Sequence, residues 1–359
     1  MAGRAETGRG QGTALMEWLK RSWRWFKWVV AIGVMGWLFQ GHRDAITQIA
    51  QGPKSWGYLG LAIILILGAS LLTFLRWWIL VRAQQFDFSL KQAVRLGFVG
   101  LVSNSIAPGA VGGDIVKAIL MARDQPQRRT SAVATVVLDR ILGMLGLFIV
   151  GALTTLVPSG ALDHPDLQPV RWLMWGGSLV GLVSLGLMLW PRLTQLAWVQ
   201  QVERLPRVGH LAGELIRGVG LYQSQPDAVW KAVLLSLVAH SMLITGFWLC
   251  ACWMRQAWTP DLATHFFFLP TSELFGAFVP VPAGMGALEG AVQWFYERVR
   301  PESVAEEAAG AAGFLAALAF RIVTIGISAL GAGYYLASRT EIAQAMESRP
   351  DEHPAAPGS

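Results

Sequence analysis

Three arginines and two carboxylates are the residues of this sequence whose types and positions could do chemistry. Arg76, Arg140 and Arg321 lie inside long apolar stretches, and Asp114 and Glu289 each follow a segment rich in Gly and Pro. A charged Arg at the centre of a bilayer costs about 2.5–3.5 kcal/mol on insertion scales. Such side chains therefore need carboxylates or bound anions beside them. The pattern is typical of an intramembrane site for an anion such as a phosphate.

Each of these residues also has a structural interpretation. Asp114 and Glu289 fall in the first turn of predicted short helices, where a carboxylate can cap free backbone amides. Arg140 follows Asp139, but adjacent helix positions do not face each other. Pairing of Arg140 with Asp114 or Glu289 is therefore favoured, and a purely structural ion pair competes with a role in phosphate binding. Arg76 is nearer the cytoplasmic end and could extend its side chain to the interface.

Two segments break the apolar stretches, "PGAVGGD" at 108–114 and "VPVPAGMG" at 279–286. Irregular backbone at membrane depth is tolerated only where protein or a watery cavity satisfies its polar groups. A short helix is predicted after each break, and its first turn would offer free N–H groups and partial positive charge. The Gly residues would let that backbone approach a ligand closely. Both breaks are therefore candidate ligand-facing tips.

Four further polar residues lie near these tips or inside a span. Asn104 and Ser105 precede the first tip, where they could cap a helix or contact a headgroup. Glu273 precedes the second tip, and His240 lies in the middle of an apolar span. Either of the last two could relay protons, although a hydrogen-bonded structural role is favoured for His240.

The composition predicts an all-α polytopic membrane protein. The 359 residues are 53% hydrophobic and 14% charged, whereas soluble domains have about 25% charged residues. Long apolar runs match the length of membrane-spanning helices. The net charge of +6 is explained by basic loops between spans rather than by nucleic-acid binding. The predicted spans are 25–41, 57–82, 131–157, 170–190, 228–254 and 307–337.

The distribution of basic residues predicts the orientation of these spans. Most of the 29 Lys and Arg lie before residue 28, near 82–95, 117–129 and 192–231, or after residue 338, and these segments are expected in the cytoplasm. Stretch 93–122 then enters and leaves on the cytoplasmic side, and stretch 262–297 enters and leaves on the outside. The two stretches are predicted to be re-entrant helical hairpins of opposite orientation.

The resulting order of elements predicts two inverted-topology repeats, each with three spans and one re-entrant hairpin. Paired broken segments in two inverted halves are typical of a transporter's binding site. The protein would lie in a bacterial inner membrane with both termini cytoplasmic. The predicted organisation is a basic N-terminus (1–24), repeat 1 (25–157), an external loop (158–169), repeat 2 (170–337) with an amphipathic segment (191–227), and a disordered tail (338–359).

The sequence lacks the common signatures of an enzyme. It contains no metal-spaced His/Cys cluster, no nucleophile elbow, no Walker A motif and no dinucleotide fingerprint. Cys250 and Cys252 would face different sides of one helix, so they predict neither a disulfide nor a metal site. We therefore expect no enzymatic activity, no metal, no cofactor and no nucleic-acid partner.

Three stretches resemble the flippase-like transmembrane family, which includes the membrane region of lysylphosphatidylglycerol synthases. They are "SNSIAPGAVGGDIVKAILMARD" (103–124), "ATVVLDRILGMLGL" (134–147) and "VPVPAGMGALEGAVQ" (279–293), and the resemblance covers about residues 20–338. It implies lipid handling. No aminoacyl-transferase domain follows the last predicted span, so aminoacylation is not expected. The positions that carry the family pattern are Asn104, Pro108, Gly109, Gly112, Gly113, Asp114, Arg140, Pro282, Gly284, Gly286 and Glu289.

These observations predict a lipid flippase or transporter that moves an anionic, phospho- or isoprenoid-linked lipid by alternating access around two opposed hairpins. Its partners would be membrane lipids with anionic headgroups. One alternative is an accessory membrane subunit of a separately encoded enzyme that modifies lipids or glycans. A second alternative is a membrane-embedded lipid-linked transferase.

Overall fold

The computed structural model describes residues 52–106, 112–125, 127–157, 164–190, 220–256, 258–279 and 284–347, with the single positions 36, 40 and 47. None of these residues belongs to a β-strand. The N-terminus and nearly all of the predicted span 25–41 lie outside the described residues. The predicted amphipathic segment is described only from residue 220 onwards.

The described ranges contain nine α-helices, which we number in chain order. They are α1 (Trp56–Ala83), α2 (Leu90–Ile106), α3 (Gly112–Asp124), α4 (Arg129–Thr154), α5 (Gln168–Leu189), α6 (Pro226–Trp253), α7 (Leu262–Phe278), α8 (Ala287–Val299) and α9 (Glu306–Glu347). Two 3-10 turns, Pro165–Leu167 and Leu221–Ser224, precede α5 and α6.

Five of the helices are long and apolar enough to cross a membrane, namely α1, α4, α5 with its preceding turn, α6 and the Glu306–Gly333 part of α9. They match five of the six predicted spans to within a few residues. Helix α9 continues to Glu347, so its end overlaps the tail predicted to be disordered. The overlapping sequence is rich in Ala, Glu and Gln, which have high helix propensity.

The two predicted hairpins each consist of two packed helices, α2 with α3 and α7 with α8. Their tips, 107–111 and 280–283, lie outside the described residues. Close backbone contacts lie beside both tips: a side chain at Gly113 would collide with the carbonyl of Gly100, and one at Gly284 would collide with the carbonyl of Gly276. Gly284 also has a φ of +63°, which favours glycine. Glycine thus lets the two arms of each hairpin meet.

Replacing Gly113 with alanine is expected to lower the free energy of unfolding by about 1–3 kcal/mol, since the new methyl group must displace backbone. The matched control is Gly290→Ala, because Gly290 is also helical and an added Cβ there meets nothing within 4 Å. That control should be neutral or stabilising by up to about 1 kcal/mol. Unfolding in mixed detergent micelles measures the free energy of unfolding of both variants. Equal values for the two variants would contradict the close contact between Gly113 and the carbonyl of Gly100.

The helices pack in a reciprocal pattern. Helices α1 and α6 lie along each other, with Gly246 of α6 against Ile66 of α1. The first arm of each hairpin packs on a distant long helix: α2 on α9, and α7 on α4. The second arm packs on the long helix that follows it: α3 on α4, and α8 on α9.

The largest apolar core lies among α6, α7, α8 and α9. Its buried aromatic rings are in mutual contact, and the rings of Phe268 and Phe295 stack with centroids 5.5 Å apart. Aromatic pairs of this kind contribute about 0.5–1.5 kcal/mol beyond the area that they bury. This core holds the second hairpin firmly against its neighbours.

Candidate functional site

A cavity of about 580 Å³ lies between the two hairpins. Every described α-helix except α5 contributes to its wall. The first hairpin provides residues from Gly97 to Asn104 on one arm and Asp114 and Lys117 on the other, and the second hairpin provides Glu273 to Phe278 and Leu288. Most of the wall is apolar, so the charged groups in it stand out as the part able to select a ligand.

Two cations share one carboxylate in this cavity. Asp114 Oδ1 lies 2.9 Å from Lys117 Nζ, and Asp114 Oδ2 lies 3.5 Å from the Arg140 guanidinium. The Lys117 side chain is 13% exposed, whereas that of Arg140 is 39% exposed. We refer to Asp114, Lys117 and Arg140 as the shared-carboxylate cluster. It carries a net charge of +1, and the exposed guanidinium is the group best placed to receive an anion.

Arg76 forms a more complete set of contacts on the same wall. Its Nε donates to Asp139 Oδ1 at 2.7 Å, and its Nη1 donates to the Ser236 hydroxyl at 2.8 Å. Arg76 and Asp139 are both buried. The sequence suggested that Arg76 could extend toward the interface, but it instead joins α1, α4 and α6 through buried hydrogen bonds.

Arg321 and Glu289 form a second buried ion pair, in which the Arg321 Nε donates to Glu289 Oε1. Glu289 Oε2 accepts a hydrogen bond from the Gly286 amide at 2.8 Å, so this carboxylate also caps α8. Neither Arg321 nor Glu289 is among the described residues that line the cavity. Their geometry therefore fits the structural alternative drawn from the sequence rather than direct contact with a ligand.

The described part of the first hairpin tip is held by a side-chain cap. Asn104 Oδ1 accepts from the Gly113 amide at 2.6 Å, and Gly112 and Gly113 are both buried. Asn104 also lines the cavity. Ser105 lies in the last turn of α2, but its side chain is outside the described part of the chain, as are Pro108, Gly109 and Pro282.

The second tip ends in two glycines with unusual backbone geometry. Gly284 and Gly286 have φ values of +63° and +84°, a region that favours glycine because it lacks a Cβ. Gly286 is the N-cap of α8, and its backbone amide donates a hydrogen bond to the carboxylate of Glu289. These two glycines lie in the turn that leads into the start of α8.

His240 and Glu273 face each other on the cavity wall. His240 Nε2 lies 3.0 Å from the carbonyl oxygen of Gly143, and His240 Nδ1 lies 4.0 Å from Glu273 Oε2. A carbonyl oxygen can only accept a hydrogen bond, so Nε2 carries the hydrogen. The second ring nitrogen is then directed toward the carboxylate.

The sequence reasoning missed three residues of the site. In the sequence, Lys117 is one of several basic residues expected in the cytoplasm, although its spacing of three from Asp114 is that of an ion pair on one helix face. The sequence offers Asp139 only as a neighbour of Arg140, and nothing in the apolar span around Ser236 marks that residue as functional. Helix packing, which brings α1, α4 and α6 together, supplies the information that the sequence lacked.

Within the described part of the chain, no group of three or more His, Cys, Asp or Glu side chains is arranged to hold a metal ion. Cys250 is buried and Cys252 is partly buried, and both are free thiols. Arg76, Lys117 and Arg140 on the cavity wall instead each contact a carboxylate, and two of them share the carboxylate of Asp114. Such an arrangement can bind a charged ligand by exchanging one partner for another.

Comparison with known proteins identifies the family to which the chain belongs. No curated protein matches the chain. The family model described as "Lysylphosphatidylglycerol synthase TM region" matches residues 24–331, a range that covers both predicted hairpins and every predicted span except the end of the last one. Together with five helices long and apolar enough to cross a bilayer, the match identifies a multi-pass membrane protein that belongs to the family of the lysylphosphatidylglycerol synthase transmembrane region.

Proposed function

We propose that the protein is a flippase or transporter that moves an anionic, phospho- or isoprenoid-linked lipid across a bacterial inner membrane. The observation that carries this proposal is the cavity between the hairpins. Its wall is largely apolar, and it holds two cations that share the single carboxylate of Asp114. An amphiphile with an anionic headgroup matches both properties.

The shared-carboxylate cluster suits a phosphate group. Lys117 and Arg140 already face one anion, and the exposed Arg140 guanidinium can donate to a second one. Hydrogen bonds to charged groups contribute about 1.5–3 kcal/mol each, and arginine matches phosphate geometry particularly well. A headgroup oxygen would therefore replace part of the long 3.5 Å contact between Arg140 and Asp114.

The apolar part of the wall suits the lipid tail. Phe278 lines the cavity and is 75% exposed, so the cavity wall includes a large apolar side chain that is also accessible from outside. A headgroup could then enter the protein while its acyl or isoprenoid chain remains among the lipids. This arrangement avoids moving the whole tail through the protein interior.

The reciprocal packing supports the proposal of two inverted halves with re-entrant hairpins. In each proposed half, the first hairpin arm packs on the closing span of the other half, and the second arm packs on the closing span of its own. Helices α1 and α6, the equivalent spans of the two halves, pack along each other. Rocking of one half against the other would expose the cavity alternately on the two sides.

A transport assay with purified protein tests the proposal. Proteoliposomes would contain either fluorescent phosphatidylglycerol or a fluorescent glycosyl diacylglycerol without phosphate, and a membrane-impermeant quencher would report the rate of translocation. We expect phosphatidylglycerol to move about tenfold faster or more, the factor given by one charge-assisted hydrogen bond. Rates no higher than those of protein-free liposomes would contradict transport and favour an accessory subunit.

A further inference from the structure

We propose that the His240–Glu273 pair is a proton-binding site, and that one proton is transported together with each monoanionic headgroup. This inference rests on the proposed transport function and specifies its energy source. It is carried by the geometry of the pair and by the charges that line the cavity.

The geometry of the pair leaves room for one proton between its two members. The Gly143 carbonyl determines that His240 Nε2 carries a hydrogen, so Nδ1 of the neutral ring is an acceptor. That Nδ1 is buried, has no hydrogen-bond partner, and lies 4.0 Å from Glu273 Oε2. A lone pair and a carboxylate oxygen repel each other at this distance. One added proton, on either Nδ1 or Oε2, converts the repulsion into attraction. The pair becomes an ion pair if the proton is on Nδ1, and it can form a hydrogen bond once the two atoms approach from 4.0 Å to about 3 Å.

The other charged groups that line the cavity determine when this proton is bound. Arg76 on α1 is paired with Asp139 on α4, and Asp114 on α3 is shared between Lys117 and Arg140. The described wall residues of α2, α8 and α9 include no charged side chain. With Glu273 ionised and His240 neutral, three positive and three negative side chains face the cavity, so its net charge is zero.

Entry of a headgroup with one negative charge leaves the cavity with an uncompensated charge of −1. In an apolar environment, such a charge is costly unless it is paired. Uptake of one proton by the His240–Glu273 pair restores neutrality. By thermodynamic linkage, the proton increases the affinity for the anion by the same factor by which the anion increases the affinity for the proton. The anion and the proton therefore bind and leave together.

The coupling predicts a specific response to a pH gradient. In proteoliposomes that contain a trace of fluorescent phosphatidylglycerol, the labelled lipid should accumulate in the leaflet on the alkaline side. One proton per headgroup corresponds to an asymmetry of about tenfold for each pH unit across the membrane. Because the complex is neutral, a potassium-valinomycin potential at equal pH should produce no asymmetry.

Glu273→Gln is expected to remove the response to the gradient. The neutral amide leaves the cavity with one excess positive charge, so a headgroup with one negative charge is neutralised without uptake of a proton. The readout is the ratio of lipid asymmetry with and without the pH gradient, which does not depend on the absolute rate. Glu302→Gln is the matched control, because Glu302 is exposed and is not among the lining residues of the cavity. It should keep the full asymmetry.

A measurement on the unmodified protein makes the test independent of how the variants fold. When phosphatidylglycerol is added to the protein in weakly buffered detergent, each protein molecule should take up about one proton. A pH-indicator dye reports this uptake. Translocation without gradient-driven asymmetry or proton uptake would overturn the proton inference and leave transport standing. Asymmetry that persists in Glu273→Gln would overturn the assignment to this pair. Absence of any translocation would instead contradict the proposed function itself.

Discussion

Glu289→Ala is expected to lower the free energy of unfolding by about 3–5 kcal/mol, the cost of leaving one member of a buried ion pair without its partner. Glu289 is completely buried, and its carboxylate bonds both Arg321 and the Gly286 amide. The substitution therefore removes a cap and leaves a guanidinium inside the protein. Because whole proteins are stable by only about 5–15 kcal/mol, this loss should be visible as a large drop in thermal midpoint in detergent.

Two further variants test the cause of that loss. Glu302→Ala is the matched control at an exposed position, and it should change stability by no more than about 0.5 kcal/mol. The double substitution Glu289→Leu with Arg321→Met should recover much of the loss, because replacing both members of a buried pair by apolar residues is often neutral. A stable Glu289→Ala protein that no longer moves lipid would indicate instead that Glu289 contacts the substrate.

Arg140→Ala is expected to slow translocation of phosphatidylglycerol about 10- to 100-fold, the factor for losing one hydrogen bond between charged groups. The free energy of unfolding should change little, because Arg140 is partly exposed and its contact with Asp114 is long. Arg140→Lys keeps the charge but not the planar guanidinium, so it should give an intermediate rate. Fluorescence quenching in proteoliposomes measures all three rates.

The matched control for Arg140 is Arg123→Ala. Arg123 is an exposed residue in the last turn of α3, and it is not among the lining residues of the cavity. Its loss should leave the rate within a factor of two, since exposed substitutions change energies by only about 0.5 kcal/mol. Equal rates for Arg140→Ala and the unmodified protein would contradict the role of the shared-carboxylate cluster in headgroup binding.

The helices could be predicted well because their lengths follow from the bilayer. Apolar runs such as 57–82 and 228–254 have few other stable structures in a membrane, and α1 and α6 match them closely. The Gly- and Pro-rich breaks likewise predicted where helices end and begin, since α2 ends at Ile106 and α3 begins at Gly112, and α7 ends at Phe278 and α8 begins at Ala287. Local composition was sufficient for both predictions, because the residues that indicate a span or a break are the residues that form it.

The pairing of charges could not be predicted in the same way. Arg76 and Asp139 are 63 residues apart in sequence, and only the packing of α1 against α4 brings them together. Asp139 and Arg140 are adjacent but lie about 100° apart around their helix, so they contact different partners. Arg321 looked like Arg140 in the sequence, yet its side chain pairs with Glu289. The distinction depends on which helix face borders the cavity.

The reciprocal packing of the hairpins has a mechanical consequence. Because α2 lies on α9 and α7 lies on α4, each hairpin is attached to a long helix that is distant from it in the sequence. In the transport that we propose, a tilt of one half would therefore pull on a hairpin of the other half, so that opening the cavity on one side of the membrane would tend to close it on the other side. Opening of the cavity on both sides at once would then require a hairpin to detach from the long helix on which it packs.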